Sequence, residues 1–274
     1  MPSLARIFHL KGWLSRVFAA EELKHVIEPS AAFRHTGGVS DFNNIIRFDE
    51  MELISNTTEA EISIVNRLYA KRQGVVSEVL SWQVWQRRYF DPDFGGAVID
   101  GRRNVVESQA SLTAYSFLDG PRHYSPIVSV LRTSINPRML VEWRTDYDPL
   151  RRRIVNSSLI ADARFAQYFI GAGHNQVRSN PVVSPSANQL FIRGGYGSDG
   201  RRGWNMGFNG IYDSHTGTMK FATTQVSYNT DCCGLSIQYR RFALGTRNEN
   251  QFLLSFAIAN IGTFGTLKKQ ERLF

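Results

Sequence analysis

The sequence predicts an all-β protein, an antiparallel meander of about 12–14 long strands of the kind that builds a transmembrane β-barrel, in whole or as an open curved sheet. Three observations point there. From residue 22 onward apolar and polar residues alternate with the period of two that a strand imposes on its side chains. The alternating runs are about 9–13 residues long, more than is usual in soluble sheets, and they match the roughly 9–11 residues with which a tilted strand crosses a bilayer. Aromatic residues stand near the run ends, at Tyr89-Phe90, Tyr124, Tyr147 and Tyr228, where an interfacial girdle would lie.

The elements follow in chain order. Residues 1–21 read as a lead-in, irregular or a short helix, because Leu4, Ile7, Phe8, Leu14 and Phe18 recur at roughly helical spacing. Lys11 and Arg16 interrupt that stretch, so it does not form the continuous apolar core of a secretory signal. Residues 22–262 read as the strand series. In 138–148, Met139, Val141, Trp143, Thr145 and Tyr147 share one face, opposite Arg138, Glu142, Arg144, Asp146 and Asp148. In 204–213, Trp204, Met206, Phe208 and Tyr212 oppose Asn205, Asn209 and Asp213. In 234–240, Leu235, Ile237 and Tyr239 oppose Ser236, Gln238 and Arg240. In 252–259, Phe252, Leu254, Phe256 and Ile258 form the apolar face. Turn signals separate the runs, among them Asp91-Pro92-Asp93, Asp119-Gly120-Pro121, Asp148-Pro149 and His215-Thr216-Gly217. The longest turn-rich stretch is 174–188. Residues 263–274 read as a tail, because Lys268, Gln270 and Arg272 occupy the alternate positions that a terminal barrel strand would make apolar.

Composition excludes several classes. The chain has 274 residues, a net charge of +8 and 12% aromatics, which suits a folded chain and not a disordered one. No run approaches the roughly 18 apolar residues of a membrane-spanning helix. Two cysteines, Cys232 and Cys233, cannot make a disulfide scaffold. Of the 32 basic residues 26 are arginine, and they recur along the whole chain instead of forming one stripe, so nucleic acid is not the expected partner. Arg67, Arg138, Arg144, Arg193 and Arg240 fall on polar strand faces, where they could pair with Glu61, Glu142, Asp146 or Asp199. A water-filled lumen and the solvated face of a soluble sandwich both produce this pattern.

Candidate chemistry is sparse. Gly195-Tyr196-Gly197-Ser198-Asp199-Gly200 matches a dinucleotide fingerprint, but a strand pattern follows it where a helix is required, so it reads as a hairpin turn. None of His9, His25, His35, His123, His174 and His215 is spaced as a metal pair, and no motif selects a serine nucleophile. Asp91-Pro92-Asp93 and Asp146-Tyr147-Asp148 read as turn formers before cation ligands. No cofactor, metal or enzymatic activity is expected. Cys232-Cys233 reads either as two buried free thiols or as a pair each bonded to a cysteine outside this chain.

The stretch Tyr228 to Phe274, YNTDCCGLSIQYRRFALGTRNENQFLLSFAIANIGTFGTLKKQERLF, closely resembles the C-terminal end of the lipopolysaccharide-assembly outer-membrane protein family LptD, also called organic solvent tolerance protein OstA. LKHVIEP at 23–29, FDEMELISN at 48–56, VNRLYAKR at 65–72 and EVLSWQVWQRRYFDP at 78–92 fit the family in its order. DCCG followed by YRR is the specific string.

That resemblance implies the C-terminal half of a large Gram-negative outer-membrane barrel, without the family's periplasmic jelly-roll domain. It implies an integral translocon, not an enzyme, that inserts lipopolysaccharide into the outer leaflet through a lateral gate. It implies an LptE-like plug lipoprotein, a periplasmic lipopolysaccharide bridge and the barrel assembly machinery as partners. Cys232 and Cys233 match the family's inter-domain disulfide positions, with their partners absent from this chain. The last strand, about Gln251–Ile261 with Phe252, Leu254, Phe256 and Ile258 on one face, matches the gate, and Arg138, Arg144, Arg193 and Arg240 are the expected lumen-facing cations. The alternative expectation is a porin-like or solute-uptake outer-membrane barrel.

Overall fold

The computed structural model describes residues 6–10, 18, 20–38, 56–92, 122–136, 138–178, 186–198, 201–244, 247–258 and 261–267. Among these, fourteen strands follow one another in hydrogen-bonded order exactly as they do in the chain, from β1 to β14. Every pairing with a recorded register is antiparallel, as short connections require. The all-β antiparallel meander is therefore the fold. The chain divides into two compact units, Met1–Leu159 with Gln176–Ala187, and Ile160–Asn175 with Asn188–Phe274.

The first unit begins with β1 (Arg6–Leu10), β2 (Glu22–Thr36), β3 (Thr57–Arg72) and β4 (Val75–Tyr89). β2, β3 and β4 have 15, 16 and 15 residues, longer than the sequence pattern suggests. Gln73 and Gly74 close the β3–β4 hairpin with φ of 50° and 79°, the paired positive values of a tight two-residue turn. The lead-in differs from its expected form: Arg6–Leu10 is a strand, in register from Arg6 opposite Ile27 to Leu10 opposite Leu23. The edge of β2 offers backbone donors and acceptors, and satisfying them outweighs a helix too short to be stable alone. Phe18 then packs on Leu23, Leu68, Ala70 and Val79, and its carbonyl accepts from Arg72 Nε at 2.8 Å. Burial of such a side chain contributes roughly 1.5–3 kcal/mol. Pro29 lies beyond the last β1 partner, so its missing N–H breaks no β1–β2 bond. β5 (Ile127–Asn136) and β6 (Met139–Asp148) complete the recorded ladder of this unit, which also holds the start of β7 (Arg153–Phe165).

The second unit holds the rest of β7, most of β8 (Tyr168–Val177), then β9 (Ala187–Tyr196), β10 (Gly203–Asp213), β11 (Thr218–Asn229), β12 (Cys233–Leu244), β13 (Arg247–Ile258) and β14 (Gly262–Gly265). Two expectations are corrected here. The stretch 174–188 is less loop than its composition suggests, because β8 runs to Val177 and β9 starts at Ala187. The tail is not free from residue 263 onward, because β14 pairs with Ser255–Ile258, and β13 is therefore not the last strand. Thr266 N and Leu267 N both donate to Leu254 O, at 2.8 and 3.1 Å, and Leu267 is buried. Gly265, at φ 118°, lets the chain approach the Leu254 backbone where a Cβ would collide.

Candidate functional site

The strands β10 to β13 place their residues in cross-strand rows. One polar row runs Asn205, Ser227, Ser236, Ser255 and a second runs Gln225, Gln238. All six are at most 4% exposed, and Gln238 Nε2 donates to Gln225 Oε1 at 3.0 Å. The apolar rows alternate with them: Trp204, Tyr228, Leu235, Phe256, and Met206, Val226, Ile237, Leu254. These eight are 36–64% exposed, and Phe252 reaches 77%. Ring pairs Trp204–Tyr228 and Tyr239–Phe252 meet across strands in tilted contact, with centroids 5.0 and 4.9 Å apart. In water this arrangement is inverted, with amides and hydroxyls covered and a continuous apolar surface exposed.

The first unit shows the same inversion with charges. Phe33, Ile62, Ile64 and Trp82 are exposed, whereas Glu59 and Arg87 are 6% and 3% exposed. Glu59 and Glu61 stand two residues apart on β3, so both point to one face between Arg34 of β2 and Arg87 of β4. Arg34 reaches Glu59 at 3.0 Å and Glu61 at 3.2 Å, and Arg87 reaches Glu61 at 2.7 Å and Glu59 at 3.6 Å. Each carboxylate is thus shared by two guanidinium groups, the arrangement a buried charge needs. Arg67 bridges Glu28 and Glu78 at 3.2 and 2.9 Å. Further along the same unit, Arg122 pairs with Asp148 at 2.6 Å and Arg144 with Asp146 at 3.2 Å, while Asn156 donates to Asp146 at 3.4 Å.

The cysteines stand at the β11–β12 turn. Both are free, Cys232 exposed and Cys233 partly so, which corrects the reading of two buried thiols. Their sulfurs lie 3.1 Å apart, and the Thr230 hydroxyl is 3.6 Å from Cys232 Sγ. The hydrogen bond from the Cys233 thiol, then that from Thr230, pulls the Cys232 pKa below the ordinary thiol value.

Other expected residues separate into two groups. Arg144 pairs with Asp146 as expected, Arg193 bonds Asp162 at 2.7 Å, and Arg240 shares the face of Ser236 and Gln238. Arg138 does not belong with them: it lies in the β5–β6 turn, exposed, because Met139 is the first residue of β6. Tyr89 leaves the aromatic girdle, since it is 1% exposed on the face of Arg87, while Phe90, Tyr124, Tyr147 and Tyr228 are exposed. Phe252, Leu254 and Phe256 form an exposed face as expected. Gly195 and Tyr196 end β9, Gly197 leaves it at φ 112°, and the strand β10 follows where a dinucleotide fingerprint requires a helix. Asp199, Asp93 and residues 48–55 lie outside the described residues. Asp146 is a strand residue held by Arg144, whereas Asp148 both pairs with Arg122 and forms the following turn, its Oδ1 accepting from Leu150 N at 3.0 Å; no cluster of three metal-ligating side chains occurs among the described residues. Arg34, Glu59 and Arg87 were not singled out from the sequence; the Gln73-Gly74 turn alone would put Glu61 opposite Gln86, and the bulge at Leu68/Tyr69, which carries no signal in the sequence, shifts it to Arg87.

Neither a family model nor a curated protein matches the sequence. Among solved structures the chain is similar to two mutants of Rh. blastica porin, each at a TM-score of 0.36 and 9% identity, over 87% of this chain and 81% of the porin chain. Likeness at that level leaves the fold to be read from the strand pairing itself.

Proposed function

We propose that this chain is an outer-membrane β-barrel segment whose apolar face meets lipid and whose polar face lines an aqueous interior. The observation that carries this reading is the inverted burial, with Trp204, Met206, Ile237, Leu254 and Phe252 exposed while Asn205, Gln225, Gln238 and Ser255 are covered. Within that class the reading is lipopolysaccharide assembly, supported by the resemblance of DCCG, YRR and the four preceding strings to the family. On this reading the interior holds a plug lipoprotein and Arg144, Arg193 and Arg240 present bidentate donors to phosphorylated cargo. Cys232, exposed, and Cys233, partly exposed, stand at a turn where thiols of a periplasmic domain could reach them.

Photo-crosslinkers placed on the two faces in Gram-negative outer membranes test it. Those at Gln225 and Gln238 should capture lipopolysaccharide or a plug lipoprotein, and those at Ile237 and Leu254 should capture bulk lipid. Capture of neither at the polar face, together with steady ion conductance of the purified chain in planar bilayers, favours the porin-like alternative and removes the assembly role.

A further inference from the structure

Arg88 departs from the ion-paired arginines of the neighbouring strand positions, Arg34, Arg67 and Arg87. By alternation it belongs to the apolar face of β4, with Trp82, Val84 and Gln86, and not to the face of Arg87. Its cross-strand row is Phe33, Ala60, Arg88, and the small Ala60 leaves the guanidinium uncovered. Among the described residues it forms no ion pair; its recorded side-chain neighbours are the rings of Phe90 and Tyr124, 5.3 and 5.9 Å from the guanidinium carbon. Phe33 closes the cluster, its ring centroid 6.0 Å from that of Phe90. Glu59 and Glu61, the nearest acids on β3, alternate to the opposite face and are already shared by Arg34 and Arg87.

Beside this cation runs an open groove of about 570 Å³. Ile62, Ile64, Val84 and Ile127 contribute apolar walls, and Arg88, Phe90 and Tyr124 stand at one end. Ile62 and Ile64 are 67% and 45% exposed, so the apolar walls are open to an occupant. The end matters: Arg88 is the penultimate residue of β4, at the level of the aromatic belt, while Ile64 and Val84 lie nearer the strand middle. A cation at belt level above an apolar track matches the two ends of one molecule, an anionic headgroup and a hydrocarbon tail.

We propose that this groove is a binding site for one anionic phospholipid, with its phosphate on the Arg88 guanidinium and an acyl chain along Ile62, Ile64 and Val84. The proposal rests on the membrane reading above, and the test separates the two. The full chain is placed in nanodiscs of equal phosphatidylglycerol and phosphatidylcholine, then released and analysed by native mass spectrometry for retained lipid. The expected result is one retained phosphatidylglycerol in clear excess over phosphatidylcholine. Arg88→Gln should bring the ratio to parity, and Arg241→Gln, an exposed arginine of β12 outside the groove, should leave it unchanged. Ala60→Phe, which fills the groove and keeps the cation, should lower total retention. Equal retention of the two lipids by the unmodified chain, or an unchanged ratio in Arg88→Gln, overturns the site while leaving the membrane reading intact. A chain that enters no nanodisc and stays in the aqueous phase overturns both.

Discussion

Strands β2–β6 and β10–β13 invert the usual distribution of polarity, but they cover their polar faces by different chemistry. In and beside β2–β6 the covered polar groups are largely ions, Arg87 with Glu59 and Glu61, which the more exposed Arg34 also reaches, and Arg122 on Asp148. In β10–β13 they are mainly neutral, the rows of Asn205, Ser227, Ser236 and Ser255 and of Gln225 and Gln238. A neutral amide loses only modest free energy when a partner disappears, whereas a covered charge left alone loses several times more. The first region should therefore be specific about which residue stands where, and the second tolerant of exchange among small polar side chains.

Breaking the first region gives the largest expected effect. Arg87→Met strips Glu59 and Glu61 of one cation in a face where Arg87 is 4% exposed and Glu59 8% by side chain, and should cost about 3–5 kcal/mol. Urea unfolding in lipid, followed by β-sheet circular dichroism, reads this; a midpoint within error of the unmodified chain would mean that the ladder is solvated and that the two regions do not differ. Gln238→Leu sharpens the contrast from the other side. It leaves Gln225 Oε1 without the 3.0 Å donor and should cost only about 1–2 kcal/mol in the same assay. A loss equal to that of Arg87→Met would erase the distinction.

The smallest effect is a rate, not a stability. In the second region a titration device stands at the Cys232 turn, outside the strand rows. The thiolate is the reactive form, so a pKa below the ordinary value gives Cys232 a larger thiolate fraction at neutral pH and faster alkylation than a free thiol. Cys233→Ala removes the leading cause, and Thr230→Val the next. Each should shift the pH profile of Cys232 alkylation upward and slow it at pH 7, Cys233→Ala the more. Mass-spectrometric labelling with iodoacetamide measures this, and an unshifted profile in both variants would show that the two hydrogen bonds do not reach the thiolate.

Much of the fold is legible in single residues. Trp204, Met206 and Phe208 against Asn205 and Asn209 fix a strand and its two faces without any knowledge of neighbours, because side-chain direction alternates with an exact period of two. The same arithmetic finds Arg144 and Arg240 on polar faces. It fails at Arg138 and Tyr89, because a boundary shifted by one residue moves Arg138 into a turn, and alternation continued to the strand end carries Tyr89 to the covered face. It fails again at Arg6–Leu10 and Gly262–Gly265, which form strands because β2 and β13 offer edges there. The Arg34–Glu59–Glu61–Arg87 group was out of reach for a related reason: its members are joined by register, which a turn and a bulge at Leu68/Tyr69 set together.

The sequence by itself determined that the chain is an antiparallel meander with one apolar and one polar face per strand, since that follows from local alternation and turn chemistry. Which face is covered could not be decided there, because a sandwich and a barrel share the alternation. The tertiary structure decided it, by pairing strands so that Gln225 meets Gln238 and Arg87 meets Glu61 under cover while Trp204, Ile237 and Phe252 stay exposed. Exposure is a property of what surrounds a side chain, and neighbours distant in the chain supply it.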